Sequence, residues 1–328
     1  MVPAIKLQLW RATFGVFVSL GFALSHIALS QPTASQPASP ANSSPVERTD
    51  ATEPSESITF APLSPSCPLP PIPLSDEAVS KMAFYSYIRE LFAFALEQGH
   101  SPPLDDVFQQ LHTAEQYQKQ GQPDAAAAVL DRALAIYRNE EGTAAMAVAP
   151  PRLANTTRLL ALSKFMELYA ASGRAEQAVP LADELVVFTQ SLPSQDDTSL
   201  RGLVGAANVY RTVKQNKQAS SVLTYVIRGT EALKEPFVEA IILSEVTKVY
   251  ANLNDPNRAA QVLLQAQELA NAANGVSQKN AATVALVPAY LALGQHENAS
   301  RIAETIKPFE LRQQVQQAVS CTQVNPSR

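Results

Sequence analysis

Between residues 76 and 320 the apolar positions recur every three or four residues, with no convincing run of the two-residue alternation that marks a half-buried strand. The pattern predicts a series of amphipathic helices, and the series repeats. Tyr117, Tyr169, Tyr210, Tyr250 and Tyr290 are each followed nine residues later by an alanine: Ala126, Ala178, Ala219, Ala259 and Ala299. Positions twelve, thirteen and sixteen after each tyrosine are apolar in every copy, as in Val129, Leu130 and Ala133 or Val262, Leu263 and Ala266. That spacing puts them on one face of a helix. Four residues after the tyrosine stand Gly121, Gly173 and Gly294, with Lys214 and Asn254 in the other two copies. Glycine and asparagine tolerate the left-handed conformation that ends a helix. Each copy therefore predicts helix, tight turn, helix. The tyrosine lies near the end of the first helix, and the alanine in the second lets the two backbones approach.

Successive tyrosines are 52, 41, 40 and 40 residues apart. The long interval contains residues 140–151, with Gly142, Pro150 and Pro151, and removing those twelve restores a spacing of forty. They are expected to form a loop inserted between the first two repeats. A stack of repeats needs an end-piece at each terminus. Residues 308–320 supply one, with Leu311, Val315 and Val319 on one face. Residues 76–98, closed by Gly99, Pro102 and Pro103, supply the other, a helix that is apolar almost all round.

Tyrosine, glycine at plus four, alanine at plus nine, a large apolar residue at plus thirteen and a small one at plus sixteen together resemble the tetratricopeptide repeat (TPR) family. Tyr117, Gly121, Ala126, Leu130 and Ala133 match all five positions, and the other copies match three or four, over about residues 105–306. The copies diverge from the family: its early tryptophan is absent and its closing proline is replaced by Arg138, Gln190, Glu231, Asn271 and Leu311. The period is also about forty residues instead of about 34. The resemblance implies an all-α fold, a right-handed α-solenoid of about five helix-turn-helix repeats with a capping helix at each end. It also implies a non-enzymatic protein-binding or scaffold role on a concave face lined by the first helix of each repeat. The family's lining positions fall here on Phe108, Leu111, Glu115 and Lys119, then Leu160, Ser163 and Glu167, then Arg201, Val204, Asn208 and Arg211, then Ile241, Ser244, Lys248 and Asn252. Lys119, Glu167, Arg201, Asn208, Arg211 and Lys248 are the candidate groove for a protein or peptide partner. Arg201, Asn208 and Arg211, with Lys248 one repeat on, are expected to hold a carboxylate through charge-assisted hydrogen bonds.

The first thirty residues carry Lys6 and Arg11 ahead of an uncharged apolar stretch ending near Ala28 and Ser30. This reads as a signal peptide, with a membrane anchor over residues 12–30 as the alternative. Either exports the bulk of the chain, to a periplasm or cell envelope, or to a lumen if the host has thylakoids. Residues 31–74 hold eleven of the 24 prolines and no glycine, and are expected to be a disordered linker. The solenoid spans 75–320 and a short tail 321–328.

Composition narrows the chemistry. A net charge of −5 leaves no basic excess for a phosphate backbone, so nucleic acid is not an expected partner. Four scattered histidines and two cysteines supply no metal-ligand spacing, and no phosphate-binding or nucleophile motif is present, so no catalytic residue, metal or cofactor is expected. The competing readings are a wall-associated helical-toroid hydrolase and a structural spacer without a specific ligand. Asp196 and Asp197 read as solvated helix-start residues. Cys67 and Cys321 leave three outcomes open: an intramolecular bridge, a bond between two chains, or free thiols. The first requires the solenoid to curl so that the proline-rich arm lies along the groove, where it would control access. Oligomeric state is left open.

Overall fold

The computed structural model describes residues 57–58, 67–73, 104–139 and 150–324. The expected signal segment, the N-terminal capping helix 76–98, most of the linker and the centre of the insert lie outside the described residues. Eleven helices appear among those described: α1 (Asp105–Lys119), α2 (Pro123–Arg138), α3 (Pro151–Ala171), α4 (Ala175–Ser191), α5 (Asp197–Thr212), α6 (Asn216–Thr230), α7 (Pro236–Asn252), α8 (Pro256–Ala272), α9 (Val276–Ala292), α10 (His296–Glu304) and α11 (Phe309–Val324). Two short strands, β1 (Ser57–Ile58) and β2 (Ile72–Pro73), pair antiparallel with Ser57 opposite Pro73 and Ile58 opposite Ile72.

The first ten helices form five hairpins, one for each tyrosine. In all five the tyrosine carbonyl accepts the N–H five residues on, at 2.8 to 3.1 Å: Gln122 to Tyr117, Arg174 to Tyr169, Gln215 to Tyr210, Asp255 to Tyr250 and Gln295 to Tyr290. The residue before each of those donors is left-handed, with φ of 71° at Gly121, 74° at Gly173, 63° at Lys214, 59° at Asn254 and 70° at Gly294. This is a Schellman ending, in which two otherwise orphaned carbonyls of the last turn are satisfied by the reversing chain. Ala126, Ala178, Ala219, Ala259 and Ala299 are completely buried in the second helices.

The tyrosine rings also join repeats. Tyr169 donates to Asp131 Oδ1 at 2.8 Å, Tyr210 to Asp183 Oδ1 at 2.6 Å and Tyr290 to Gln267 Oε1 at 2.7 Å, each acceptor lying on the second helix of the preceding repeat. Each first helix packs on its own partner and on the first helix of the next repeat, so α1, α3, α5, α7 and α9 form one layer. One apolar core runs through all five hairpins into α11. The protein is an all-α solenoid of TPR-like repeats. The forty-residue period comes from helix length, since α7 and α8 each have seventeen residues and are separated by three-residue turns.

Downstream, α11 buries Leu311, Val315, Ala318 and Val319 and ends the stack. Among the described residues no helix is long and apolar enough to cross a membrane.

Three expectations need correction. Residues 67–73 are not a free spacer: Cys67, Leu69 and Ile72 are buried, and β2 packs on α9. Apolar side chains between the prolines have found an apolar surface. Pro151 is not part of the insert but opens α3, where its missing N–H is one the helix could not have used. Asp197 is buried instead of solvated. Its neighbour Asp196 behaves as a helix start, accepting the Ser199 N–H at 2.8 Å while Ser199 Oγ accepts the Asp196 N–H at 2.9 Å.

Candidate functional site

The candidate groove is the face of the first-helix layer, and its charged side chains fall into three groups. At the N-terminal end, Lys119 Nζ lies 3.6 Å from Glu115 Oε1, and Glu115 Oε2 lies 3.5 Å from Lys164 Nζ on α3. Lys164 in turn holds Glu167 at 3.2 Å. Lys119, Glu115, Lys164 and Glu167 thus make a charge-balanced chain across the α1–α3 seam. His112 sits beside it. Burial pushes its imidazole below the ordinary value; the Glu115 carboxylate opposes this, and Lys119 and Lys164 reinforce it.

In the middle, Arg201 of α5 pairs with Glu245 of α7 at 3.3 Å. Lys248, one turn further along α7, is half-buried and has no ion pair within 4.0 Å among the described residues. Burial holds its amine below the usual lysine range, the Glu245 carboxylate opposes, and the Arg201 guanidinium adds to the depression. The Glu245 carboxylate, ion-paired with Arg201, thus also acts on the Lys248 amine. The third group is Asn208 with Arg211, near the C-terminal end of α5, where Arg211 Nε donates to Asn208 Oδ1 at 3.0 Å. Ten residues of helix rise, about 15 Å, separate Arg211 from Arg201. The expected single cradle of Arg201, Asn208, Arg211 and Lys248 is thus divided: Arg201 and Lys248 come together, while Asn208 and Arg211 form a separate pair.

Two partners were missed from the sequence, Lys164 and Glu245, and both stand five residues before their repeat's tyrosine. That position faces the preceding repeat, so the tyrosine register contained the signal that would have found them.

The last repeat gives the groove a different character. The equivalent positions on α9 are Ala281, Val284, Pro288 and Ala292, and Lys279 is the one charged residue of that helix. Residues 67–73 lie at this end. Cys67 is joined to Cys321 of α11 by a disulfide with Cα atoms 5.7 Å apart, and Leu69 and Ile72 belong to the solenoid's core.

A separate open hollow of about 530 Å³ lies on the α4 side, lined by Arg158, Pro180, Asp183, Glu184, Val187, Phe188 and Ser191. Its polar groups are engaged. Glu184 pairs with Arg138 at 2.5 Å and Arg158 at 2.9 Å, Arg158 stacks over Phe188, and Asp183 holds Tyr210. Burial, and then the Glu184 carboxylate, push the Tyr137 hydroxyl up to about 12. This network joins α2, α3 and α4 and reads as packing. Among the described residues no three metal-ligating side chains gather at one point.

Residues 105–196 match the model of the bacterial transcriptional activator domain. Among solved structures, the chain is similar to the nearly identical TPR-like repeats of a kinesin light chain candidate from Podosopora anserina. A single-substitution form of those repeats superposes with a TM-score of 0.45 at 20% identity, covering 70% of this chain and all of that one. A second structure gives 0.43 at 21% identity, covering 68% and 99%. No curated protein matches the chain.

Proposed function

We propose that the protein is a non-enzymatic binding scaffold of the cell envelope that grips a segment of a partner protein in the groove along α1, α3, α5 and α7. The observation that carries this reading is the Arg201, Glu245 and Lys248 group. A half-buried amine next to an ion pair is unfavourable in the empty protein, because burial of charge is repaid only by a well-placed counter-charge. A partner carboxylate between Lys248 and Arg201 supplies that counter-charge through charge-assisted hydrogen bonds. Export is supported by the basic head and apolar stretch of residues 1–30, and by the Cys67–Cys321 disulfide, which persists in oxidising compartments.

The experiment is capture of partners from envelope extract on the oxidised full-length protein, with wild type, Lys248→Met and Arg201→Ala with Arg211→Ala side by side. At least about a tenfold loss of the captured partner is expected from either variant, the size of one charge-assisted contact. Retention of every partner at wild-type level overturns the groove assignment.

The match to a transcriptional activator domain suggests a second reading, a cytoplasmic regulator contacting other proteins through the same repeats. It sets the disulfide in a reducing compartment. Fusion of residues 1–75 to a reporter enzyme that is active only after export separates the two.

A further inference from the structure

Residues 67–73 read Cys-Pro-Leu-Pro-Pro-Ile-Pro, and their burial has a period of three. Pro68 and Pro71 are exposed, Leu69 and Ile72 are buried, and Cys67 and Pro70 are buried. Three residues per turn is the repeat of the polyproline II helix, in which every third side chain shares a ridge. Two ridges of this segment face the protein and one faces solvent. The surface beneath includes α9, whose groove positions are apolar where those of α1, α3, α5 and α7 include charged or polar groups. The seated segment has Leu69 and Ile72 as anchors three residues apart, and carries no charge of its own. Covalently, Cys67 fastens the segment to α11.

We propose that residues 67–73 are a resident ligand of the C-terminal end of the groove. Reduction of the Cys67–Cys321 bond then opens the same surface to an extended proline-rich segment of a partner with two aliphatic anchors three residues apart. This rests on the scaffold reading above and names the chemistry of its ligand. A preformed extended segment loses little conformational freedom on docking, which suits recognition by a groove of small apolar side chains. The segment is already joined to the solenoid through the backbone, and the disulfide shortens that tether, so that a free competitor faces a much higher effective concentration in the oxidised protein than in the reduced one. Opening needs a dithiol reductant. It transfers two electrons and two protons, the S–S bond breaks, Cys67 and Cys321 become thiols, and the reductant leaves as its own disulfide. Leu69, Pro70, Ile72 and the two-residue strand pairing then hold the segment with only its backbone connection to α1 as a tether.

The test uses the full-length chain and a fluorescent peptide, Ser-Pro-Leu-Pro-Pro-Ile-Pro-Leu, which repeats residues 67–74 with serine in place of the cysteine. Peptide binding is followed by anisotropy and helix content by circular dichroism. The oxidised protein should bind weakly or not at all. The protein reduced with dithiothreitol should bind at least about tenfold more tightly, and the Leu69→Ser with Ile72→Ser variant should bind more tightly still after reduction. A peptide with serine at both anchor positions should not bind. Equal binding by oxidised and reduced protein overturns the clasp. No binding by the reduced variant with its helix content intact overturns the resident-ligand assignment. The capture experiment with Arg201 and Arg211 replaced reads the other end of the groove, so its outcome stands independently of this one.

Discussion

Lys214 occupies the left-handed position that glycine or asparagine fills in the other four repeats, with φ of 63°. A side chain with a Cβ is disfavoured there by about 1 kcal/mol, whereas glycine adopts the conformation freely. Lys214→Gly should therefore raise unfolding stability by about 0.5–1 kcal/mol, and Gly173→Ala should lower it by about 1 kcal/mol. Both are read from the urea midpoint at constant slope. Four of these turns were legible in the sequence because glycine and asparagine are the residues that meet this backbone requirement; the Lys214 turn follows from the register of the other four. The state of Lys248 was not, because it depends on Arg201 and Glu245 meeting across a seam between repeats. Its amine is depressed in the folded protein, so above the folded value the unfolded chain binds more protons and stability rises with pH until the usual lysine range is reached. Lys248→Met removes that rise and should leave the protein at least as stable as wild type at neutral pH, because it takes away a half-buried charge that burial disfavours. Urea titrations at pH 7 and pH 10 check both statements, and a variant less stable than wild type at pH 7 contradicts them.

Between elements, the repeat is set by a hydrogen bond as much as by packing. Tyr169, Tyr210 and Tyr290 each reach back to the preceding second helix, and the hydroxyls of Tyr169 and Tyr210 are pushed above the ordinary range, by burial first and by Asp131 and Asp183 next. Among the described residues, the ten repeat helices, their order and their hairpin pairing could be read from the sequence, since each rests on local periodicity with a turn signal. The seating of residues 67–73 could not. Their proline content resembles that of a spacer, and what orders them is a surface and a cysteine contributed by helices more than two hundred residues away. The insert lies between these cases. Its start is marked by the end of α2 at Arg138 and its finish by Pro151 at the first position of α3. Deleting residues 140–149 should leave helix content and thermal midpoint nearly unchanged, because the entropy of closing a loop varies only slowly with its length. A fall of the midpoint by more than a few degrees would place these residues in the packed core.

At the scale of the whole molecule, a stack of repeats is held by nearest-neighbour contacts, and its ends are free to open first. Cys67–Cys321 changes that, because it fastens an N-terminal segment to the last helix across 254 residues of chain. In the chain-entropy picture a loop of that length stabilises the folded state by up to about 5 kcal/mol, with native-state distortion subtracting from it. The bond lies outside the helix-on-helix contacts of the five repeats, so reduction should leave the solenoid helical at room temperature. Its effect should be concentrated at the end where the segment is seated. We expect the reduced protein to unfold at a lower temperature, and amides of α9, α10 and α11 to lose hydrogen-exchange protection before those of α5 and α7. The physical reason is that α11 has a neighbour on one side and loses the segment that covers α9, while α5 and α7 keep packed repeats on both sides. Exchange measured by mass spectrometry before and after dithiothreitol distinguishes this from a uniform loss of protection along the chain. A uniform loss would mean that the five repeats unfold as a single cooperative unit and that the bridge stabilises all of them alike.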